Sequence, residues 1–194
     1  MSSSPALPIA YPLDDFYTQA GRALPVIEAL AGEAVPEPYR ALLVHLDDMT
    51  PTLERFHGGR LHLTVLSRQQ RDEFYFREVV LRLDQSETPV EFGAIKINLA
   101  LFPAAARREI LEERRPLGTL LADYALTHTS RPQAFFRLRS DEFINAALNL
   151  TAPQWLYGRR NTLWNPQQIP LAEIVEVLPP APPATVAPST GRGR

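Results

Sequence analysis

The chain has 194 residues, 45% of them hydrophobic, enough for one globular domain with a sizeable core. Lys and Arg number 20 against 22 Asp and Glu, so the formal charge is -2; the basic excess needed to bind a phosphate backbone is absent, and nucleic acid is not an expected partner. No cysteine is present, which excludes a disulfide framework, a thiol nucleophile and thiolate metal ligands, and Lys96 is the single lysine, which leaves recognition of carboxylates to arginine.

In chain order, Met1-Ser-Ser-Ser-Pro5 carries no charged leader followed by an apolar stretch, and no later run is long enough to span a bilayer, so a cytoplasmic protein is expected. Residues 1–12 read as a loose, proline-punctuated lead-in. Asp14 is placed to cap a helix over 16–23, Pro25 to open one over 26–31 that stops at Gly32, and Pro38 to open one over 39–46. A turn begun at Thr50-Pro51 passes through Leu53 and Phe56 to Gly58-Gly59, after which Leu61, Leu63 and Val65 alternate as a strand does. The strand predicted over 74–83 puts Tyr75, Arg77, Val79, Leu81 and Leu83 on one face, which sets an arginine among core residues. After a turn at 84–88, a strand over 90–101 turns Ile95, Ile97 and Leu99 inward.

Pro103 opens a helix that runs through Ile110 to Glu113, and Pro116 interrupts it before a second helix over 117–124. The first amides of that second helix, near Leu117 and Gly118, lack intrahelical partners and suit a carboxylate. A strand over 134–139 follows, then a helix over 141–148 capped by Ser140, and 157–164 with 169–178 reads as a closing hairpin. In that hairpin Glu173 and Glu176 lie in an apolar strand, a costly place for a carboxylate unless a partner or ligand uses it. Residues 181–194, rich in proline and poor in anything to bury, read as a disordered tail. The expected class is α+β: one domain over 13–180 with a mainly antiparallel sheet and flanking helices.

Four islands occur in a telling order: Asp48-Met-Thr50 ahead of Glu54-Arg-Phe56; Phe76-Arg-Glu-Val-Val-Leu81; Arg115-Pro-Leu-Gly118; and Leu156-Tyr-Gly-Arg-Arg160 with Pro170-Leu171 and Glu176 four residues before Pro180. With these residues the chain resembles the bacterial chorismate pyruvate-lyases, which convert chorismate to 4-hydroxybenzoate and pyruvate for ubiquinone biosynthesis. The resemblance implies an antiparallel sheet over an internal ligand cavity and a lyase that needs no cofactor and no metal. It also implies ligand contacts at Met49 and Leu117 through backbone groups, at the Arg77 guanidinium and at the Glu176 carboxylate, with Arg77 and Glu176 as the catalytic pair. Chorismate and 4-hydroxybenzoate are the small-molecule partners so implied, and a monomer without membrane insertion is the expected state.

In chemical terms, Arg77 can pair bidentately with a ring carboxylate, while Glu176, raised in pKa by apolar surroundings, can move a proton or hold a ring hydroxyl. The chain departs from the family in three places. One extra residue between Pro170 and Glu176 makes Glu173 a rival on the opposite strand face, Ala94 follows Gly93 where an arginine is familiar, and 139–154 looks like an insertion. Of Arg159 and Arg160, adjacent strand residues that point oppositely, at most one can face inward as a second positive wall. His45, His57, His62 and His128 lack zinc-ligand spacing and read as surface or packing residues, and no G-x-S-x-G supports a serine nucleophile. The alternative reading is a non-catalytic, aromatic-acid-binding domain of the same fold, as in the sensing domains of certain bacterial regulators. The segment before Leu42 reads as too short for a winged DNA-binding domain, and the presence of both Arg77 and Glu176 argues for the enzyme.

Overall fold

The computed structural model describes residues 7–181. The elements run α1 (Leu13–Gln19), β1 (Ile27–Leu30), α2 (Tyr39–Leu43), α3 (Met49–His57), β2 (Leu61–Arg71), β3 (Phe74–Leu83) and β4 (Pro89–Asn98). Then come α4 (Ala104–Glu112), α5 (Leu117–Asp123), β5 (Thr129–Arg139), α6 (Glu142–Leu148), β6 (Trp155–Trp164) and β7 (Pro170–Leu178). All seven strands form one antiparallel sheet in the order β1-β5-β6-β7-β4-β3-β2, so the expected α+β class with a mainly antiparallel sheet holds.

Strand alternation divides the core in two. Phe76, Val80, Phe92, Phe136, Leu138, Val175 and Val177 fill one face under α1 and α6. The other face carries two clusters: Tyr75, Ile95, Ile97 and Leu163 under α4 and α5, and Leu61, Leu63, Val79 and Leu81 under α2 and α3. Helices therefore cover both faces, and a cavity lies on the second of them.

Local signals misplace several elements. The helix predicted over 26–31 is β1, paired to β5 from Ile27 opposite Leu138 to Leu30 opposite Phe135. Helix propensities differ by at most about 0.7 kcal/mol per ordinary residue, less than a ladder hydrogen bond and the packing beneath it supply together. The helix expected over 39–46 ends at Leu43, and β5 begins at Thr129 because a register shift between Pro132 and Ala134 accommodates the proline that hid its first half. The cap of α6 is Asp141, accepting from the Ile144 amide at 2.8 Å, while Ser140 accepts from the Gln154 amide at 2.9 Å and closes the segment 141–153.

Residues 1–6 of the expected lead-in lie outside the described residues; of the rest, Ala10 is buried and Ile9 packs against the core. The expected tail also lies outside them, apart from Ala181, whose amide donates to the Tyr39 hydroxyl at 2.6 Å. No helix among the described residues is long and apolar enough to cross a membrane.

Candidate functional site

Sheet register places the site. Arg77 stands opposite Ile95, Ile95 opposite Ile174 and Ile174 opposite Asn161; one pleat along the strands, the row is Val79, Gly93, Glu176 and Arg159, and the next holds Leu81 and Glu91. With about 3.4 Å per residue and about 4.8 Å between strands, the Arg77 and Glu176 backbones are about 12 Å apart and those of Arg77 and Glu91 about 14 Å. Over this face sits a cavity of about 60 Å³ that Met49, Arg77, Leu117 and Glu176 all line, with Leu63, Val79, Leu81, Ile95 and Ile174 as apolar wall. One water needs about 10–15 Å³ on this measure, so the space admits a small organic molecule.

The roof is the paired N-terminal ends of α3 and α5. They approach closely because residue 118 is glycine: a Cβ there would stand 2.9 Å from the Thr50 hydroxyl and 3.1 Å from its Cβ. Met49 and Leu117 are the first residues of these helices, so their amides have no intrahelical acceptor.

Arg77 is 2% exposed, and its single hydrogen bond among the described residues is a long one, 3.4 Å to the Ile110 carbonyl. Its Nε is buried without a partner, and no carboxylate stands within ion-pair distance among the described residues. Burial pulls its pKa below the usual guanidinium value. A buried charge in this state is unfavourable unless something else completes it.

Glu176 is in the opposite condition. It forms an ion pair with Arg159, which is fully buried and also donates to the carbonyls of Leu43 at 3.2 Å, His45 at 3.3 Å and Asp47 at 3.3 Å. The pair thus clamps the loop between α2 and α3. Beside it Glu91 is 5% exposed, and its Oε2 has no partner. Burial, reinforced by the neighbouring Glu176 charge and only partly offset by Arg159, holds the Glu91 carboxyl well above the ordinary carboxylate range. Asn161 donates to the Ser130 hydroxyl at 2.9 Å and leaves its own Oδ1 buried and free.

At the cavity edge Asp48 accepts from His128 Nε2 at 2.9 Å, and His128 Nδ1 lies 2.7 Å from the Leu126 carbonyl. The Asp48 hydrogen bond leads in raising the His128 pKa above the ordinary imidazole value, against the opposing effect of burial.

The four sequence-predicted contacts therefore line one cavity, while Glu173 faces away and pairs with Lys96 at 2.8 Å. Lys96 is held by that pair and lies 4.5 Å from the Phe74 ring centroid. Arg159 is the inward member of its pair of arginines, but as a clamp rather than a free positive wall. Sequence reasoning missed Glu91 and Asn161. Glu91 shares the odd parity of Ile95 and Ile97, the same signal that exposed Arg77.

No family model and no curated protein sequence matches the chain. Among solved structures it is similar to PhnF from Mycobacterium smegmatis, at a TM-score of 0.53 and 13% identity, over 70% of this chain and 65% of that one. The effector domain of PhnF matches at a TM-score of 0.51 and 13% identity, over 68% of this chain and 87% of the domain. A weaker likeness, at a TM-score of 0.48 and 9% identity, is to the ligand-binding domain of a Bordetella bronchiseptica protein assigned to the GntR family of transcriptional regulators, over 61% of this chain and 85% of that one. The chain thus spans just under two thirds of PhnF and most of its effector domain.

These findings correct the expectation of a carbon-oxygen lyase. The fold is shared with the effector domain of PhnF, and the assignment to ubiquinone biosynthesis falls with the enzyme. The local chemistry points the same way: the carboxylate cast as general acid or base is tied to Arg159.

Proposed function

We propose that this chain is a non-catalytic binding domain for a small aromatic carboxylate, held in the cavity between the sheet and the roof of α3 and α5. The observation that carries the reading is Arg77: a buried guanidinium with an unpartnered Nε, lining an apolar cavity and with no carboxylate within ion-pair distance among the described residues. A ligand carboxylate completes it with a bidentate, charge-assisted pair. The amides of Met49 and Leu117 converge on the same anion, and the aliphatic wall receives the ring. Glu176, engaged with Arg159, bounds the far end and fixes its shape. The ligand acts as an effector, as the word is used of the PhnF domain that shares the fold.

Calorimetric titration of the purified protein with benzoate and 4-hydroxybenzoate tests this directly. One-to-one saturable binding is expected, weakened about 10- to 100-fold in Arg77→Met, the loss that goes with one charge-assisted hydrogen-bonded pair. Absence of binding to both acids at millimolar concentration refutes the reading.

A further inference from the structure

The far end of the cavity presents an asymmetry. Glu176 and Glu91 both face it, and the one arginine beside them already directs four of its five donors elsewhere, to Glu176 and to three loop carbonyls. Among the described residues no cation is left there for Glu91, a residue of the cavity wall whose Oε2 is buried and unpartnered. A carboxyl in that position is favoured in its neutral form, since two adjacent carboxylates with one compensated charge cannot both ionise without large cost. A neutral carboxyl differs from a carboxylate in having an O–H to donate.

We infer that Glu91 is the specificity-determining residue of the site, donating its O–H to an uncharged oxygen at the end of the ligand opposite the carboxylate that Arg77 holds. The inference rests on the binding reading above and narrows its ligand class. The site takes monoanionic aromatic acids carrying a hydroxyl or carbonyl at the far position, and it rejects a second carboxylate, which would meet Glu176 and find no free cation. Placement along the sheet fits such a molecule. Arg77 and Glu91 lie two pleats apart, with Val79, Leu81 and Ile95 as the apolar stretch between them.

The experiment is calorimetric titration at pH 7 with four probes: benzoate, 4-hydroxybenzoate, 4-formylbenzoate, which can only accept at its far end, and terephthalate, which carries a second charge. In the wild-type protein the hydroxyl and formyl acids are expected to bind about 3- to 10-fold tighter than benzoate, the span of one net hydrogen bond, and terephthalate at least about 10-fold weaker than 4-hydroxybenzoate. Glu91→Leu should bring benzoate, 4-hydroxybenzoate and 4-formylbenzoate to affinities within about 2-fold of one another, with its urea midpoint and circular dichroism spectrum reporting that the variant is folded. Glu91→Gln, whose amide still donates, should keep a preference for the formyl acid. Retention of the full preference in Glu91→Leu, or its loss in Glu91→Gln as well as in Glu91→Leu, overturns the donor role. Tight terephthalate binding overturns it too. If the wild-type protein binds none of the four acids, the binding reading fails and this inference with it, a result distinct from one in which benzoate binds without discrimination.

Discussion

Removing Glu176 should damage the fold through Arg159, whatever it does to ligand binding. In Glu176→Leu the Arg159 guanidinium, fully buried, loses its ion-pair partner and keeps three carbonyl acceptors at 3.2 to 3.3 Å. Breaking one side of a buried pair typically costs about 3–5 kcal/mol. Arg159→Met releases the same three carbonyls and leaves Glu176 beside Glu91, but a carboxyl can neutralise by taking up a proton, so a smaller loss of about 2–4 kcal/mol is expected. In the double variant no buried charge is stranded. What remains is the loss of donors to the Leu43 carbonyl at the end of α2 and to those of His45 and Asp47 on the loop that follows, about 1–3 kcal/mol at 0.5–1.5 kcal/mol each with partial replacement by water. Urea denaturation of the four proteins at pH 7 measures the coupling, expected to be at least about 2 kcal/mol in favour of the pair. Additivity of the two single substitutions within about 0.5 kcal/mol would show that Glu176 and Arg159 do not depend on each other, and would refute the clamp.

Arg77→Met should move stability and binding in opposite senses: removing an incompletely satisfied buried charge is worth about 1–3 kcal/mol, or roughly 2–12 °C in thermal midpoint for a domain of this size, while acid binding weakens about 10- to 100-fold. A lower midpoint in the ligand-free variant, read by differential scanning fluorimetry, would mean that Arg77 already has a partner in the fold. On the other sheet face Glu78 is fully buried, 4.0 Å from Arg22, and burial raises its pKa from 4.5 to about 7. Between those values the native state keeps a proton that the unfolded state releases, so stability falls as pH rises from about 4.5 to 7. Glu78→Gln should flatten that slope and raise the urea midpoint at pH 8; Glu91 acts in the same sense, so parallel slopes in wild type and the Glu78→Gln, Glu91→Gln double variant would contradict both assignments. Gly118→Ala introduces a Cβ 2.9 Å from the Thr50 hydroxyl and should cost about 1–3 kcal/mol. It should also weaken 4-hydroxybenzoate binding by parting α3 from α5, with part of both losses recovered by Thr50→Ala, as unfolding and titration curves will show.

Strand alternation alone carried much of the architecture and half of the site. It put Arg77 among aliphatics and set Glu173 and Glu176 on opposite faces, as the register has them. It could not say which charges meet, because that depends on strand order. The central position of β7, between β6 and β4, brings Glu176 to Arg159 on one side and opposite Gly93 on the other. Only the first of these neighbours follows from a sequential hairpin. The helix expected over 26–31 failed for a related reason, since the partner strand of β1 lies more than a hundred residues away in β5.

The sequence islands behind the lyase reading also have structural causes. In Tyr157-Gly-Arg159 a Cβ at Gly158 would fall 2.5 Å from the Glu176 carbonyl, and Arg159 is the clamp. In Arg115-Pro-Leu-Gly118, Arg115 pairs with Glu109 at 2.9 Å, Pro116 precedes α5, and Gly118 admits Thr50. Motifs of this kind report a shared scaffold, and a scaffold is compatible with several chemistries.

Because helices cover both sides of the sheet, consecutive strand residues answer to different masters: Glu91 and Arg77 to the chamber, Phe92 and Glu78 to the packing behind it. The preference of the proposed site can therefore be redesigned by substitutions at every second position of β3 and β4 without altering the packing on the opposite face. The same interleaving makes a one-residue insertion within β3 or β4 far more damaging than any point change, since it would exchange the two populations wholesale.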